Sequence, residues 1–461
     1  MPRLKISLVR PKYHSHLITP PLSLGYLASF LKKNGFDVKI IDGLNFDYSI
    51  YDIVKQCQDS DVIGINCLSA YFKETAELSR QLKRKGKIVV IGGPHASALP
   101  DLTLKETEAD YVVVGEGELS ILELMQRLEN NDSTDNIPGI KNRNSHGFVK
   151  RKLIDDLDSL PFPDWQQIDP RIYKKAPHGG LVKSFPVAPI TSSRGCPFEC
   201  TFCASPYLWD RKIRFRSPEN VVDEIEYLIK NFGVKEIHFE DDNLTLKRKH
   251  VEDICELILK RQIKINWATP NGIRIDTVDD KLLKLMKRSG CYSIAFGIES
   301  GNQRILDNIK KKTDLNRYNE ITQAAKKAGL ITQGFFIFGL PGETEQTINE
   351  TIRFAKRIPL DKAQFLILDI LPGSQLWESI RGGIPDIVNY RSYQEAVWIP
   401  EGLDKEILNA APSLAFRSFF FRPKQIFFLL RFFKFSQIPF IMRRAADFNI
   451  IPFLKTNKKE C

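Results

Sequence analysis

The chain has 461 residues, 43% hydrophobic and 27% charged, a globular composition on a length that predicts two or three domains. The N-terminus lacks the unbroken apolar stretch of a secretory signal, and no window offers a transmembrane run of uncharged apolar residues, so neither export nor membrane spanning is expected. The net charge is +11, but ten Lys/Arg against Asp447 and Glu460 between Ala411 and Cys461 carry +8 of it; with no basic face on the rest, no nucleic-acid partner is expected.

In chain order, residues 1–132 alternate strand and helix. Apolar runs at Lys5–Val9, Val38–Ile41, Val62–Cys67, Ile88–Ile91 and Tyr111–Val114 read as strands, with helical patterns at Leu22–Lys33 and Lys73–Lys85 between them. This alternation predicts a doubly wound parallel sheet. Residues 133–185 read as a connector: Gly139–Arg151 looks like a hairpin with Asn144-Ser145-His146-Gly147 at its tip, and the two prolines of Leu157–Pro163 rule out a regular helix or central strand there.

A second alternating unit spans 186–385. Its strands are expected at Val187–Thr191, Glu236–Phe239, Ile265–Ala268, Tyr292–Phe296, Thr332–Phe338 and Gln364–Ile370. Helices are expected at Pro218–Lys230, Lys247–Arg261, Asp279–Ser289, Leu315–Lys327 and Glu345–Lys356. Six βα units predict a partial, open barrel. Residues 386–461 form a helical Phe/Arg-rich tail, with twelve phenylalanines between Phe416 and Phe453. This tail either packs on the barrel, arginines outward, or lies on an anionic membrane; its prolines favour packing.

Three of the eight cysteines, Cys196, Cys200 and Cys203, crowd into eight residues just after the first strand of the second unit. The others are scattered, several of them inside apolar runs, which suggests a reducing, cytoplasmic setting with one metal site. Spacings of four and three residues let one loop turn three thiolates toward a common centre, suited to a soft metal or an iron–sulfur cluster. Structural zinc would need a fourth ligand, such as Cys255 or His178.

The C-x3-C-x2-C pattern, with Phe202 before its last cysteine, resembles the signature of radical S-adenosylmethionine (SAM) enzymes. The resemblance implies that Cys196, Cys200 and Cys203 hold a [4Fe–4S] cluster whose open iron binds SAM, giving a 5′-deoxyadenosyl radical. Glu240-Asp241-Asp242-Asn243 stands where that family's acidic loop meets the SAM amino group, although the usual Gly-Gly-Glu wording is absent. Gly297-Ile298-Glu299-Ser300 resembles a motif lining the SAM pocket, and Gly334 through Gly339-Leu340-Pro341-Gly342-Glu343 resembles the fifth-strand segment beside the adenine. The likeness covers roughly residues 187–374.

Glycines at strand ends make the first unit a ligand domain. Gly115-x-Gly117 follows the last strand rather than the first, so it is no dinucleotide fingerprint. Ahead of a radical SAM unit, this domain resembles the cobalamin-binding domain of B12-dependent radical SAM enzymes. The resemblance implies cobalamin contacts at Asn66, Leu68, Gly92, Gly93, His95, Gly115 and Glu116. The D-x-H-x-x-G motif for histidine ligation of cobalt is absent, and His14 and His16 do not replace it.

The family likeness therefore implies methyl transfer to an unactivated carbon or phosphorus of a small molecule or lipid, with methylcobalamin as donor and flavodoxin or ferredoxin as reductant. Oxidative ring closure of the anaerobic magnesium-protoporphyrin ester cyclase type, a non-catalytic cobalamin or metal sensor, and a tRNA-modifying enzyme are the alternatives.

Overall fold

The computed structural model describes residues 4–15, 17–143, 147–175, 182–380 and 396–432. His16, the hairpin tip Asn144–His146, His178 and the Phe/Arg-rich stretch from 433 onward lie outside the described residues.

The first sheet has the order β2-β1-β3-β4-β5-β6. Its parallel strands are β1 (Lys5–Arg10), β2 (Asp37–Asp42), β3 (Val62–Asn66), β4 (Ile88–Gly92) and β5 (Tyr111–Val113). The order reverses beside β1, which places a ligand crevice at the carboxyl ends of the strands. β6 (Ile140–Asn142) comes from the connector and pairs antiparallel with β5. One arm of the expected hairpin thus closes the sheet edge, while Gly139 N donates to Val149 O on the other arm. A three-residue edge strand with one buried side chain leaves little ladder for another chain to pair with.

The second sheet is wholly parallel, in the order β14-β13-β12-β11-β10-β7. Its strands are β7 (Val187–Ile190), β10 (Glu236–Phe239), β11 (Asn266–Ile273), β12 (Cys291–Glu299), β13 (Ile331–Phe338) and β14 (Lys362–Ile367). A two-residue ladder, β8 (Ser193–Arg194) with β9 (Arg214–Phe215), is inserted after β7. Six parallel strands make the expected partial barrel. Along β13 burial alternates: Thr332, Gly334, Phe336 and Phe338 are buried, and Gln333, Phe335 and Ile337 are half-buried. One face of the sheet packs under helices and the other looks into an open interior.

β11 and β12 run farther than the sequence suggests. The pairing of β11 shifts register across Pro270-Asn271-Gly272, and β12 ends with Glu299 at φ 66. Proline and left-handed backbone make irregular strand ends that local periodicity does not reveal.

The connector joins the two units. Trp165, fully buried, donates its indole N–H to Glu224 of the barrel helix Pro218–Phe232 (2.9 Å). Gln167 bonds Ile40 N and Val38 O at 2.8 and 3.0 Å. Beyond the barrel, helix Lys405–Phe420 packs Phe419 edge-on against Phe365. Phe419 and Phe420 are buried, whereas Phe421 and Phe427 are 63% and 70% exposed. The described start of the tail therefore packs on the barrel, and no helix among the described residues is long and apolar enough to cross a membrane.

Candidate functional site

The cysteine loop hangs from a short neck. β7 ends at Ile190, β8 follows, and Gly195 (φ 102) turns the chain so that a Cβ there would collide with the Lys212 carbonyl. Cys196, Cys200 and Cys203 then follow, all half-buried, before the chain returns through β9. Two backbone bonds pin the loop: Thr201 N donates to Ile309 O (3.0 Å) and Leu376 N to Thr201 O (2.8 Å). Burial pushes the Cys203 thiol up to about 12 and also raises Cys196, so without a bound metal both are neutral thiols at pH 7.

Asp241 is fully enclosed and accepts from Ser192 N, Ser192 Oγ (2.8 Å) and Ser193 Oγ (2.5 Å). It braces the neck from below. Burial raises its pKa and these serine donors oppose that rise. Asp242 is exposed and accepts from Ser205 Oγ (3.1 Å), while Glu240, half-buried, has its carbonyl held by Asn271 Nδ2 (2.9 Å). The acidic run therefore divides: Asp241 is enclosed and braces the neck, whereas Glu240 is half-buried and Asp242 exposed.

At the end of β12, Glu299 pairs with the buried Lys311 ammonium at 2.7 Å. Burial opposes that charge, but Glu299 more than offsets it and raises the Lys311 pKa. A Cβ at Gly297 would lie 2.6 Å from Glu299 Oε1 and 3.0 Å from Lys311 Nζ, so a larger residue there would shift this ion pair. Ser300 is buried and shares hydrogen bonds with Thr351 Oγ1 and Asn302 N. Gly339 (φ 89) donates its N–H to Glu343, and Phe202 packs on the barrel core.

Several groups here escape sequence reasoning. Arg274, at the end of β11, lies 3.7 Å over the ring of Phe198 in the cysteine loop and donates to Lys311 O (2.7 Å). It is 6% exposed, yet its Nη1 has no partner among the described residues. Among the described residues, Asn243, 1% exposed, has a partner for neither amide atom, and Thr201 has none for its hydroxyl. Buried polar atoms without partners are costly, and their gathering around one loop marks a place for a polar ligand. The only sequence signal for Arg274 is its place at a strand end.

In the first sheet, Asn66 accepts from Tyr71 Oη (2.5 Å), and Tyr71 stacks on Tyr13. Leu68 leads into the short turn Ser69–Tyr71. Gly92 ends β4; Gly93 (φ 109) lies so near Cys67 that a Cβ would meet its carbonyl at 2.6 Å. His95 stacks on Phe72 and bonds Ser69 Oγ through Nδ1 (2.9 Å), with Nε2 buried and unpartnered. Burial lowers its pKa to about 4, so it is neutral. Gly115 N donates to Ser97 Oγ (3.0 Å), and Glu116 is engaged by Arg194 and Arg214. His14 is exposed. A cavity of about 400 Å³ lies between the units, lined by Ser97, Gly115 and Glu116 of the first and Pro206–Leu208, just after Cys203, of the second.

The donor set fits the implied cofactors. Each thiolate of a cubane cluster binds its own iron, so the three sulfurs need not converge on one point. Among the described residues no His, Cys, Asp and Glu side chains gather as a single metal ion would require, and Cys255 is buried in the apolar core away from any zinc site. The Asn243 amide and Arg274 Nη1, both without partners among the described residues, suit the amino and carboxylate groups of SAM, although the rest of the Arg274 guanidinium is held by Asp276 and Lys311 O. The glycines of β4 and β5 suit close approach by a large ligand.

Comparison with known proteins agrees. The Radical SAM superfamily matches residues 190–355 and the B12 binding domain matches residues 14–125. An uncharacterized methyltransferase of Pyrococcus horikoshii is 35% identical over 439 residues, covering 91% of this chain and 93% of the relative. The cytidylyl-2-hydroxyethylphosphonate methyltransferase of Streptomyces wedmorensis is 32% identical, covering 80% and 79%. The cobalamin-dependent S-adenosylmethionine radical enzyme OxsB has the same fold, with TM-score 0.75 at 18% identity over 98% of this chain and 73% of that one. With its three-cysteine loop after the first strand of a half barrel, and a cavity lined by the end of β5 and the segment just beyond that loop, the chain belongs to the radical SAM superfamily, in the branch with a B12 binding domain, whose cofactors are a [4Fe–4S] cluster, SAM and cobalamin.

Proposed function

We propose that this enzyme methylates an unactivated carbon or phosphorus centre of a small molecule. The observation that carries the reading is the shared cavity: Gly115 and Glu116, at the end of β5, and Pro206–Leu208, just beyond Cys203, line it together. When bound, the cluster with SAM supplies hydrogen abstraction and cobalamin supplies a transferable methyl group. The protein's part is placement. Cys196, Cys200 and Cys203 would hold the cluster, Asp241 braces their loop, and Asn243 and Arg274 present polar atoms to SAM. Asn66, Leu68, Gly92, Gly93, His95 and Gly115 would border cobalamin, with His95 a neutral hydrogen-bonding group. The relatives' methyltransferase names favour this chemistry over ring closure.

The half-buried interior residues of β13 and the walls of the cleft keep water from a reactive centre while admitting a small substrate. A flavodoxin or ferredoxin is the proposed reductant, and contact of the tail with a membrane surface rests on its composition alone.

The test is anaerobic reconstitution with reductant, SAM and cobalamin, followed by mass spectrometry of 5′-deoxyadenosine and S-adenosylhomocysteine. Both products, with S-adenosylhomocysteine dependent on cobalamin, are expected. Deoxyadenosine alone would replace methyl transfer with cyclisation or another hydrogen abstraction, and neither product from a cluster-loaded sample would overturn catalysis.

A further inference from the structure

Both strands of the neck that carries the cysteine loop place an arginine on the same carboxylate of the other domain. Arg194 of β8 donates through Nη1 to Glu116 Oε1 (2.9 Å) and through Nη2 to Glu118 Oε1 (2.8 Å). Arg214, its partner across the ladder on β9, donates through Nη1 to Glu116 Oε2 (2.7 Å) and to Ile154 O (2.6 Å). Glu116 also accepts from Ile154 N (2.8 Å), so the connector is gathered at the same point. Arg194 lies over Tyr26 of the first domain, its guanidinium 5.1 Å from the ring centroid. All four charged side chains are largely or fully buried.

The charges balance two against two, which a buried network requires. Burial alone would raise the Glu116 pKa, but Arg214 and Arg194 bring it below the ordinary carboxylate range, so it stays ionised. Arg214 has Nε and Nη2 buried without partners among the described residues, and its one ion pair is to Glu116. Glu118 opens the helix Glu118–Asn130, where an acid is favoured by the helix dipole.

We infer that Glu116 is a positioning residue, the centre of an ion clamp that sets the spacing and angle between the cysteine loop and the cobalamin face of the first domain. The neck ladder is two residues on each strand, too short to hold its own orientation. Only Gly195 separates Arg194 from Cys196, so any tilt at Arg194 is passed to the first cluster ligand. Other ties between the domains are single longer bonds near the neck, Arg216 Nη1 to Tyr26 Oη (3.3 Å) and Tyr207 Oη to Ser97 O (3.4 Å), or run along the connector through Trp165 and Gln167; Glu116 is the carboxylate that both neck strands share. Glu116 also lines the cavity both domains share, at the end of β5. Its carboxylate faces arginines rather than open space, so it positions the cofactors without contacting them.

This inference rests on both cofactors serving one reaction, and its test separates the two claims. Full-length wild-type, Glu116→Gln and Glu118→Gln proteins are loaded with cluster and cobalamin. Iron and cobalamin content, hydrogen–deuterium exchange of the neck amides, and the spin relaxation of cob(II)alamin beside the reduced cluster are then measured. Glu116→Gln should load cobalamin like wild type, exchange amides at 193–195 and 214–216 at least tenfold faster, and show a broadened or lost relaxation enhancement. Glu118→Gln, which removes one of three ion pairs, should fall between. Wild-type exchange and relaxation in Glu116→Gln would overturn the clamp. If Glu116→Gln fails to fold, Glu118→Gln decides: wild-type behaviour overturns the clamp and intermediate behaviour supports it. Failure of the wild type to bind cobalamin would sink the functional reading instead, while neck exchange in the apoprotein still tests the clamp.

Discussion

Two groups of buried polar side chains, one at each end of the half barrel, are completed to different extents. At the amino end, Glu236 is fully buried and accepts four hydrogen bonds: from Lys183 N (2.9 Å), Ser184 N (2.6 Å), His238 Nε2 (2.8 Å) and Tyr292 Oη (2.5 Å). At the carboxyl end, Asn243, Arg274, Thr201 and Glu343 each leave a buried polar atom without a partner among the described residues. Completed polar groups hold a fold together, whereas uncompleted ones wait for something else to complete them. The same sheet is thus a scaffold at one end and a binding surface at the other, as expected of parallel α/β architectures.

Four measurements would sharpen or break this contrast. Cys200→Ala should abolish the cluster absorbance and bring 5′-deoxyadenosine to background, with an unchanged circular dichroism spectrum because the thiol is only half-buried. Persistent deoxyadenosine would move the site elsewhere. Glu236→Ala should destabilise the protein by about 3–5 kcal/mol, read as a lower urea midpoint, because four donors lose their acceptor together. A change below about 1 kcal/mol would show that the amino end is not the braced one.

Glu343 gives a pH test. Burial raises its pKa to about 7, against the N–H bonds of Gly339 and Leu340 that lower it. Its stabilising contribution is therefore complete below about pH 4.5, falls as the unfolded chain ionises first, and is lost once pH passes about 7, a difference of roughly 3 kcal/mol at most. Wild type should lose stability across that window relative to Glu343→Gln, and parallel unfolding midpoints for the two proteins would refute it. The smallest effect is expected for Asn243→Ala. Truncation removes two buried polar atoms without partners among the described residues and leaves a small cavity, opposing effects that should keep the stability change to about 1 kcal/mol, while deoxyadenosine formation falls about tenfold, equivalent to about 1.4 kcal/mol. A stability loss matching Glu236→Ala would erase the distinction between the two ends.

Much of the architecture was legible from local pattern. Helices Leu22–Lys33 and Leu315–Lys327 have the bounds that their apolar spacing indicates, and Ser217 caps helix Pro218–Phe232 through Asn220 N as its hydroxyl suggests. β6 was read as part of a hairpin because its three residues are too few to show a period; the edge of β5 decides its pairing. The strand-end acids looked alike as text. Only their neighbours separate Asp241, held by Ser192 and Ser193, from the exposed Asp242, and tie Glu116 to its two arginines.

By itself the sequence determined the βα alternation, the two-domain order and the cluster loop, because each is written in contiguous residues: a period of two or 3.6, or three cysteines within eight positions. Tertiary structure alone decided which charges are neutralised and which polar groups stay incomplete. Glu116 meets Arg194 and Arg214 from 78 and 98 positions away, and Arg274 meets the Lys311 carbonyl from 37. In a low-dielectric interior the state of a charge is set by what stands opposite it, and that neighbour is chosen by the fold, not by the adjoining residues.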